Sequence, residues 1–402
     1  MWKVPRLMTK PTDPDYQLDT PVPPVKRKTG FWSLLKECIR TGGPGYLQFA
    51  ITNVCNAHCD FCGFSVDRFD PKTRRSVTLQ EAYDTIDISV KNGIGFLLFV
   101  GGEPMAHKDL PSMLKYAADS GIQPMICTNG SLWTDENIRM YARLGLTSVI
   151  MSIDAPSVEL HEKNRGLKGV CEKITRANKL FRQLGVESVA SITASRLIDD
   201  YTRLPPFLTS LGFDRCTFSY PISVRDPLES SYLSFSDSNL VDYTVEELIE
   251  VFQKLQALKE SREITIVNPL ESLKEMVRHL RKEPEVFPCL GGSKYFYLDW
   301  NLDLYRCHYW HSPMCKIYDF DASKLIRDHC TVCMIDCYRD PSILQFIAVN
   351  MSDIFHDLKS LRWGKAAGKV FDRRNLTSLK AVLEGQSWIR EWIKYTGKKP
   401  GQ

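Results

Sequence analysis

Three cysteines, Cys55, Cys59 and Cys62, share the short stretch from Asn53 to Gly63 in a C-x3-C-x2-C spacing. Three thiolates on one loop can hold three irons of a cubane [4Fe-4S] cluster and leave the fourth iron open to a non-protein ligand. A closed zinc site would need a fourth donor, which His58 could supply. Two features favour the open cluster: Phe61 precedes the third cysteine, and Gly101-Gly102-Glu103-Pro104 follows a second apolar segment. A second group lies far along the chain: Cys289, Cys307, Cys315, Cys330, Cys333 and Cys337. Six thiols cannot fill two all-cysteine cubanes, so they fit one further cluster, with a zinc site as the alternative. Thirteen cysteines concentrated in this way suit metal binding in a reducing compartment better than a disulfide framework.

The elements that must carry these residues alternate. Tyr46–Thr52 reads as a strand running into the first cysteine loop. A helix follows over Thr78–Lys91, with Thr78 and Glu81 forming a capping box. Gly95–Val100 is continuously apolar, as in a parallel sheet. Further helices are expected over 109–120, 134–144, 170–184 and 200–211, and further strands over 123–127, 147–153, 187–193 and 215–220. Six βα units make an α/β fold, an open (βα)6 partial barrel, with its site at the carboxyl ends of the strands. Every motif above falls at such an end.

The ordered pair of motifs, C-x3-C-x-Phe-C after the first strand and Gly-Gly-Glu-Pro after the second, resembles the radical S-adenosylmethionine (SAM) superfamily over about residues 46–220. The resemblance implies that SAM chelates the open iron and is cleaved to methionine and a 5'-deoxyadenosyl radical. It also implies SAM contacts from Phe61, Gly101, Gly102, Glu103 and Pro104, with Glu103 and the glycine backbone at the amino group. Thr128 and Asn129 end the third strand, Ser152 and Asp154 the fourth, and Ser191 lies on the fifth with Arg196 beyond it. These are further candidates for the SAM ribose or carboxylate, although Asp154 could instead cap the turn that follows it. A cysteine–hairpin–cysteine unit (Cys289, Cys307) followed by C-x2-C-x3-C (Cys330, Cys333, Cys337) resembles the auxiliary-cluster regions called SPASM or twitch. Those five cysteines are the expected ligands of an auxiliary [4Fe-4S] cluster. The stretch Cys330–Ser342 also resembles the C-terminal segment of adenosylhopane synthases. Tyr220, Tyr305, Tyr309 and Cys315 are candidates for quenching a product radical.

The divisions expected are a basic, proline-rich arm and short helix (1–45), the barrel (46–220), a covering loop and helices (221–285), the auxiliary-cluster region (286–340) and C-terminal helices (341–402). The two ends carry +11 between them and the body −7, which disfavours nucleic acid as a partner of the body. The C-terminal helix expected over 376–395 bears an apolar stripe with Trp388 and Trp392, opposed by Lys380, Arg390 and Lys394. It can pack on the body or lie at an anionic membrane. No secretory signal is visible and the longest apolar run cannot span a bilayer. The expected location is the cytoplasm, with peripheral contact at the inner membrane surface. The expected partners are a small-molecule or lipid substrate and a flavodoxin- or ferredoxin-type electron donor. A peptide maturase and an iron–sulfur carrier are the competing functions.

Overall fold

The βα alternation legible in the sequence becomes one ten-stranded sheet in the computed structural model, which describes residues 31–65, 71–222 and 238–384. In chain order the elements are α1 (Phe31–Thr41), β1 (Gly45–Thr52), α2 (Leu79–Lys91), β2 (Ile94–Gly101), α3 (Leu110–Asp119), β3 (Gln123–Thr128), α4 (Asp135–Arg143), β4 (Ser148–Ser152), α5 (Val158–Arg165), α6 (Val170–Leu184), β5 (Glu187–Thr193), α7 (Leu204–Ser210) and β6 (Arg215–Ser219). Then follow α8 (Val245–Ser261), β7 (Thr265–Ile266), α9 (Leu270–Leu280), β8 (Tyr295–Leu298), β9 (Asp303–Tyr305), β10 (Cys315–Lys316), α10 (Asp336–Lys359), α11 (Trp363–Val370) and α12 (Arg374–Glu384).

Strands β1 to β7 are parallel neighbours in sequence order, the topology of an open βα barrel. The helices start where the caps demand. Thr78 accepts from the Glu81 N–H and Glu81 returns a bond to the Thr78 N–H at 2.7 Å; Thr134 with Asn137 and Thr244 with Glu247 repeat the box. Alternate residues of each strand face the outer helices, where Phe49, Phe99, Ile126, Met151, Ile192 and Phe218 form the core.

The structure departs from the sequence reading in four places. The sheet does not stop at six strands: β8 pairs parallel to β1 (Tyr46 opposite Tyr295), and β9 and β10 extend that edge, so the cysteine-rich region grows from the barrel's own sheet. The helix expected over 200–211 is a short 3₁₀ turn (Tyr201–Arg203) and then α7, which begins with prolines that cannot donate to a preceding turn. Pro341 does not mark a helix start. It lies six residues into α10, where the Ser342 hydroxyl takes up the Tyr338 carbonyl. Helix α5 was not expected, and α11 falls within the expected C-terminal helices at a place where no separate helix was delimited. Most of the stretch expected as an N-terminal arm, most of the expected covering loop (223–237) and the residues after 384, including Trp388 and Trp392, lie outside the described residues.

Candidate functional site

Strand β1 delivers the first cysteine loop, and the residues between its cysteines fold it tightly. The Asn53 amide donates to the Thr73 carbonyl at 2.7 Å and accepts from the Arg75 N–H at 2.7 Å, pinning the loop's start. Bonds from the Cys62 N–H to the Cys59 carbonyl (3.3 Å) and from the Ser65 N–H to the Cys62 carbonyl (3.1 Å) turn the chain twice. Phe61, half-buried, sits between the two cysteines. The thiols lie close enough to oppose one another's ionisation. Burial pushes Cys55 up to about 11 and Cys59 up to about 12. Thiolates there call for a resident cationic partner, which is the chemistry of a metal-cluster site.

Gly101 and Gly102 bind this loop from the next strand. The Gly102 N–H donates to the Thr52 carbonyl and the Glu103 N–H to the Val54 carbonyl, both at 2.8 Å. Gly101 has φ +123°, and a Cβ on it would lie 2.1 Å from the Thr52 oxygen; a Cβ on Gly102 would lie 2.2 Å from the Val54 oxygen. The close approach that requires these glycines is therefore to the chain's own backbone, where the sequence suggested a ligand. Glu103, which caps the short turn opened by Pro104, is 1% exposed. Its carboxylate accepts from the Met105 N–H (3.0 Å), the Thr128 hydroxyl (2.7 Å) and the Asn129 N–H (2.8 Å). Burial raises its pKa despite those bonds. The Asn129 amide then donates to the Asn56 side chain at 2.8 Å, closing the ends of β2 and β3 onto the cysteine loop.

The fourth strand supplies a group that the sequence reading underused. Asp154 is buried and accepts from Arg165 at 2.7 Å and Asn164 at 2.9 Å, so its carboxylate serves a buried ion pair. Burial alone would raise its pKa; Arg165 and His161 outweigh that and hold it low. The Arg165 guanidinium faces Cys59 and Cys62, and its Nε is buried without a hydrogen-bond partner. A cation aimed at the thiols, beside three sulfurs on one loop, fits an anionic cluster. The Arg165 carbonyl also takes the His58 N–H at 2.9 Å. Arg165, Asn164 and His161 all come from α5, whose sequence signals were Ser157 at its start and Gly166 (φ +62°) at its end. Replacing Arg165 by Met should cost about 3–5 kcal/mol, because it strands a buried carboxylate; chemical denaturation reads the loss.

The Asp154 N–H donates to His161 Nδ1 at 3.1 Å, so that nitrogen is the acceptor of a neutral ring. Burial lowers the pKa of His161 to about 4, below the ordinary value of about 6.5. The unfolded chain binds the extra proton in this window, so stability falls as pH drops from about 6.5 towards 4, by roughly 3 kcal/mol at most. Unfolding curves at pH 7 and pH 5 should differ less in His161→Gln than in the parent protein.

Ser152 and Ser191 stand opposite each other on β4 and β5, half-buried on the sheet's inner face. Cys127, Thr193, Thr217 and Ser219 share that face, while Ile126, Met151, Ile192 and Phe218 are buried on the other. A parallel sheet covered on both sides would be buried on both. The inner face is thus a partly open, polar-lined chamber. Arg196 is not in it. Its guanidinium pairs with Glu247 at 2.7 Å, bonds the Asp242 carbonyl and covers the Tyr243 ring, which anchors the start of α8.

The second cysteine group sorts into four and two. Burial and the neighbouring thiols Cys289 and Cys330 or Cys307 raise the pKa values of Cys289, Cys307 and Cys333, so these four converge. The Cys289 N–H donates to the Cys330 carbonyl at 2.9 Å, and Arg306 ties the hairpin to Asp328 at 2.7 Å. Four thiols complete the ligand set of an all-cysteine cubane. Cys337 packs on the same aromatic cluster as Cys289, Cys307 and Cys333, but its nearest charged neighbours are Asp336 and Cys127. It is the second residue of α10 and lies beside Asp336, Cys127 and the buried Gln48 side chain. Asp336 accepts from the Tyr220 N–H at 3.0 Å and Asp340 from Asn268 at 2.6 Å, so the first turn of α10 closes the chamber near β6. Burial raises the pKa values of both carboxyls. Cys315 lies apart on β10, paired with Leu304. Of the tyrosines, Tyr305 packs with Cys55 and Cys62, Tyr309 with Cys307 and Cys333, and Tyr220 stacks on Phe252 at 5.5 Å.

Residues 49–197 match the radical SAM superfamily. An AdoMet-dependent heme synthase of Oleidesulfovibrio alaskensis is 31% identical over 150 residues, which are 37% of this chain and 38% of that protein. The subtilosin biosynthesis protein AlbA of Bacillus subtilis is 24% identical over 144 residues, 36% of this chain and 32% of that one. The chain thus spans well under half the length of these relatives. The solved structure of anSMEcpe with bound AdoMet superposes with a TM-score of 0.52 at 15% identity, covering 88% of this chain and 100% of that one, a likeness of fold.

Proposed function

Because the chain carries a radical SAM domain at residues 49–197, we propose that it is an enzyme that reductively cleaves SAM at a cluster on Cys55, Cys59 and Cys62. The observation that carries this reading is the set of three thiols on one loop, backed by the Gly101–Glu103 turn and faced by buried Arg165. A [4Fe-4S] cluster held there with one iron open supplies the electron that splits SAM into methionine and a 5'-deoxyadenosyl radical.

The chain's own residues have these roles. Glu103, buried and already oriented by Thr128 and Asn129, accepts from the SAM ammonium. Ser152 and Ser191 offer hydroxyls to its ribose or carboxylate. Asp154 holds Arg165 against the sulfurs, lowering the cost of their negative charge. Cys289, Cys307, Cys330 and Cys333 hold an auxiliary [4Fe-4S] cluster, and a flavodoxin- or ferredoxin-type protein supplies electrons. The inner-face chamber would hold the substrate, a small molecule of lipid or isoprenoid type, for the hydrogen abstraction or radical addition that a bound cluster and SAM would supply. Cys337 and Tyr305 stand there as candidate hydrogen donors. The cytoplasm is the compartment that keeps such thiols reduced. The divisions at residues 45, 220 and 285 separate arm, barrel, cover and auxiliary region, and the terminal helices begin with α10 at Asp336, ahead of the boundary expected at 340.

Anaerobically reconstituted protein, reduced with dithionite in the presence of SAM, should release 5'-deoxyadenosine and methionine in equal amounts; no release would overturn the reading. Glu103→Gln removes the charge that meets the SAM ammonium. A charge-assisted bond is worth about 1.5–3 kcal/mol, so SAM should bind roughly ten- to a hundredfold more weakly in equilibrium titration, with iron content unchanged. A peptide substrate is the second reading, supported by the relative named for bacteriocin biosynthesis. A short precursor gene beside this one would favour it.

A further inference from the structure

Among the described residues, the most exposed large apolar side chains gather on the last three helices and the turns that join them. Phe371 is 81% exposed, Leu361 74%, Trp363 63% and Leu376 59%. Helices α11 and α12 both pack on α10. The orientation of α12 is the reverse of a self-contained surface helix. Leu376, Leu379 and Leu383 form one stripe that faces outward, while Ser378 and Ala381 on the opposite side are buried. The Ser378 hydroxyl even donates to the Ile343 carbonyl of α10 at 2.6 Å, which fixes that orientation. An apolar surface of this extent on a folded chain marks a binding face.

Charge identifies what it binds. The acids of this region are engaged: Asp353 and Asp357 by Lys369, and Asp372 by Arg374. Lys359, Lys365, Arg373 and Lys380 have no ion-pair partner among the described residues. The surplus is positive. Two copies docking face to face would bring like charges together, whereas an anionic surface complements them. No helix among the described residues is long and apolar enough to cross a membrane.

We propose that this face of α10, α11 and α12 docks on an anionic lipid bilayer, with Trp363, Phe371 and the α12 leucines at the headgroup–acyl boundary and the free bases at lipid phosphates. Docking would give the barrel access to a lipid-type substrate, but the inference does not rest on that reading, since vesicle binding requires neither SAM nor its cleavage.

Sedimentation of the reconstituted full chain with vesicles tests it. Binding is expected to phosphatidylcholine–phosphatidylglycerol vesicles, not to phosphatidylcholine alone, and should weaken as salt rises. Trp363→Ser with Phe371→Ser should lower it at least about tenfold, and Lys365→Gln with Arg373→Gln on the order of twentyfold, since each base near such a surface contributes roughly fivefold. All four side chains are on the surface, and circular dichroism verifies that the variants remain folded. Absence of vesicle binding overturns the proposal. So does binding indifferent to the Trp363 and Phe371 changes. A dimer in light scattering that those changes return to monomer would assign the face to a second copy instead.

Discussion

Replacing Cys55, Cys59 and Cys62 together by Ala should remove about four irons per chain and abolish 5'-deoxyadenosine formation, while the second cysteine group keeps its iron. The size of the effect follows from the loop. The turns that present the cysteines are made mainly by backbone bonds and by Asn53, with one weak bond from the Ala57 N–H to the Cys55 sulfur at 3.4 Å. The variant should therefore fold with the loop in place and without ligands. Arg165 then faces no thiolate, and burying its unpartnered Nε against three methyl groups costs stability. The variant should melt below the parent without losing its circular dichroism. Iron assay and anaerobic turnover read the two losses separately. Deoxyadenosine from the triple variant would show that another set of thiols holds the catalytic iron.

What could be read beforehand divides along a physical line. Local signals were sufficient where each element is fixed by its own residues. The Thr78–Glu81 box starts α2, and β5 and α6 occupy the spans that their apolar period predicts. They failed where an element is fixed from outside. Helix α5 has eight residues and little apolar periodicity; its hold on the fold is the Asp154–Arg165 pair, visible only once β4 is beside it. The glycines at 101 and 102 were legible as necessary, but not for which backbone they admit. Arg196 follows a strand whose end belongs to the site, yet Glu247, 51 positions later, draws it outward. Strand β8 joins the barrel edge from nearly 250 residues away, a pairing no local pattern encodes.

The second cysteine group carries the other large effect. Cys333→Ala should lose about four irons, whereas Cys337→Ala should keep the iron of both groups. In the sequence the two look equivalent, consecutive members of C-x2-C-x3-C, with Pro341 marking where a helix could begin. The structure starts α10 at Asp336 instead. That start sets Cys337 on the first turn of a helix, beside Asp336, Cys127 and Gln48, while it still packs on the cluster that holds Cys289, Cys307 and Cys333. A proline at the sixth helical position is tolerated because its missing N–H leaves only one carbonyl to satisfy near the helix start. Cys337→Ala removes one buried sulfur, a cost of about 1 kcal/mol that should leave the fold intact. Iron and sulfide assays with absorption spectra of the two variants, made on parallel preparations, decide it. Equal iron loss in both would return Cys337 to the ligand set and remove it from the chamber. Iron retained in Cys337→Ala together with altered product would make this thiol part of the chemistry on the inner face, beside Asp336 and within reach of whatever the sheet admits. Zinc in place of the second cluster's iron would reassign the four converging thiols to a structural site and leave the first loop's chemistry untouched.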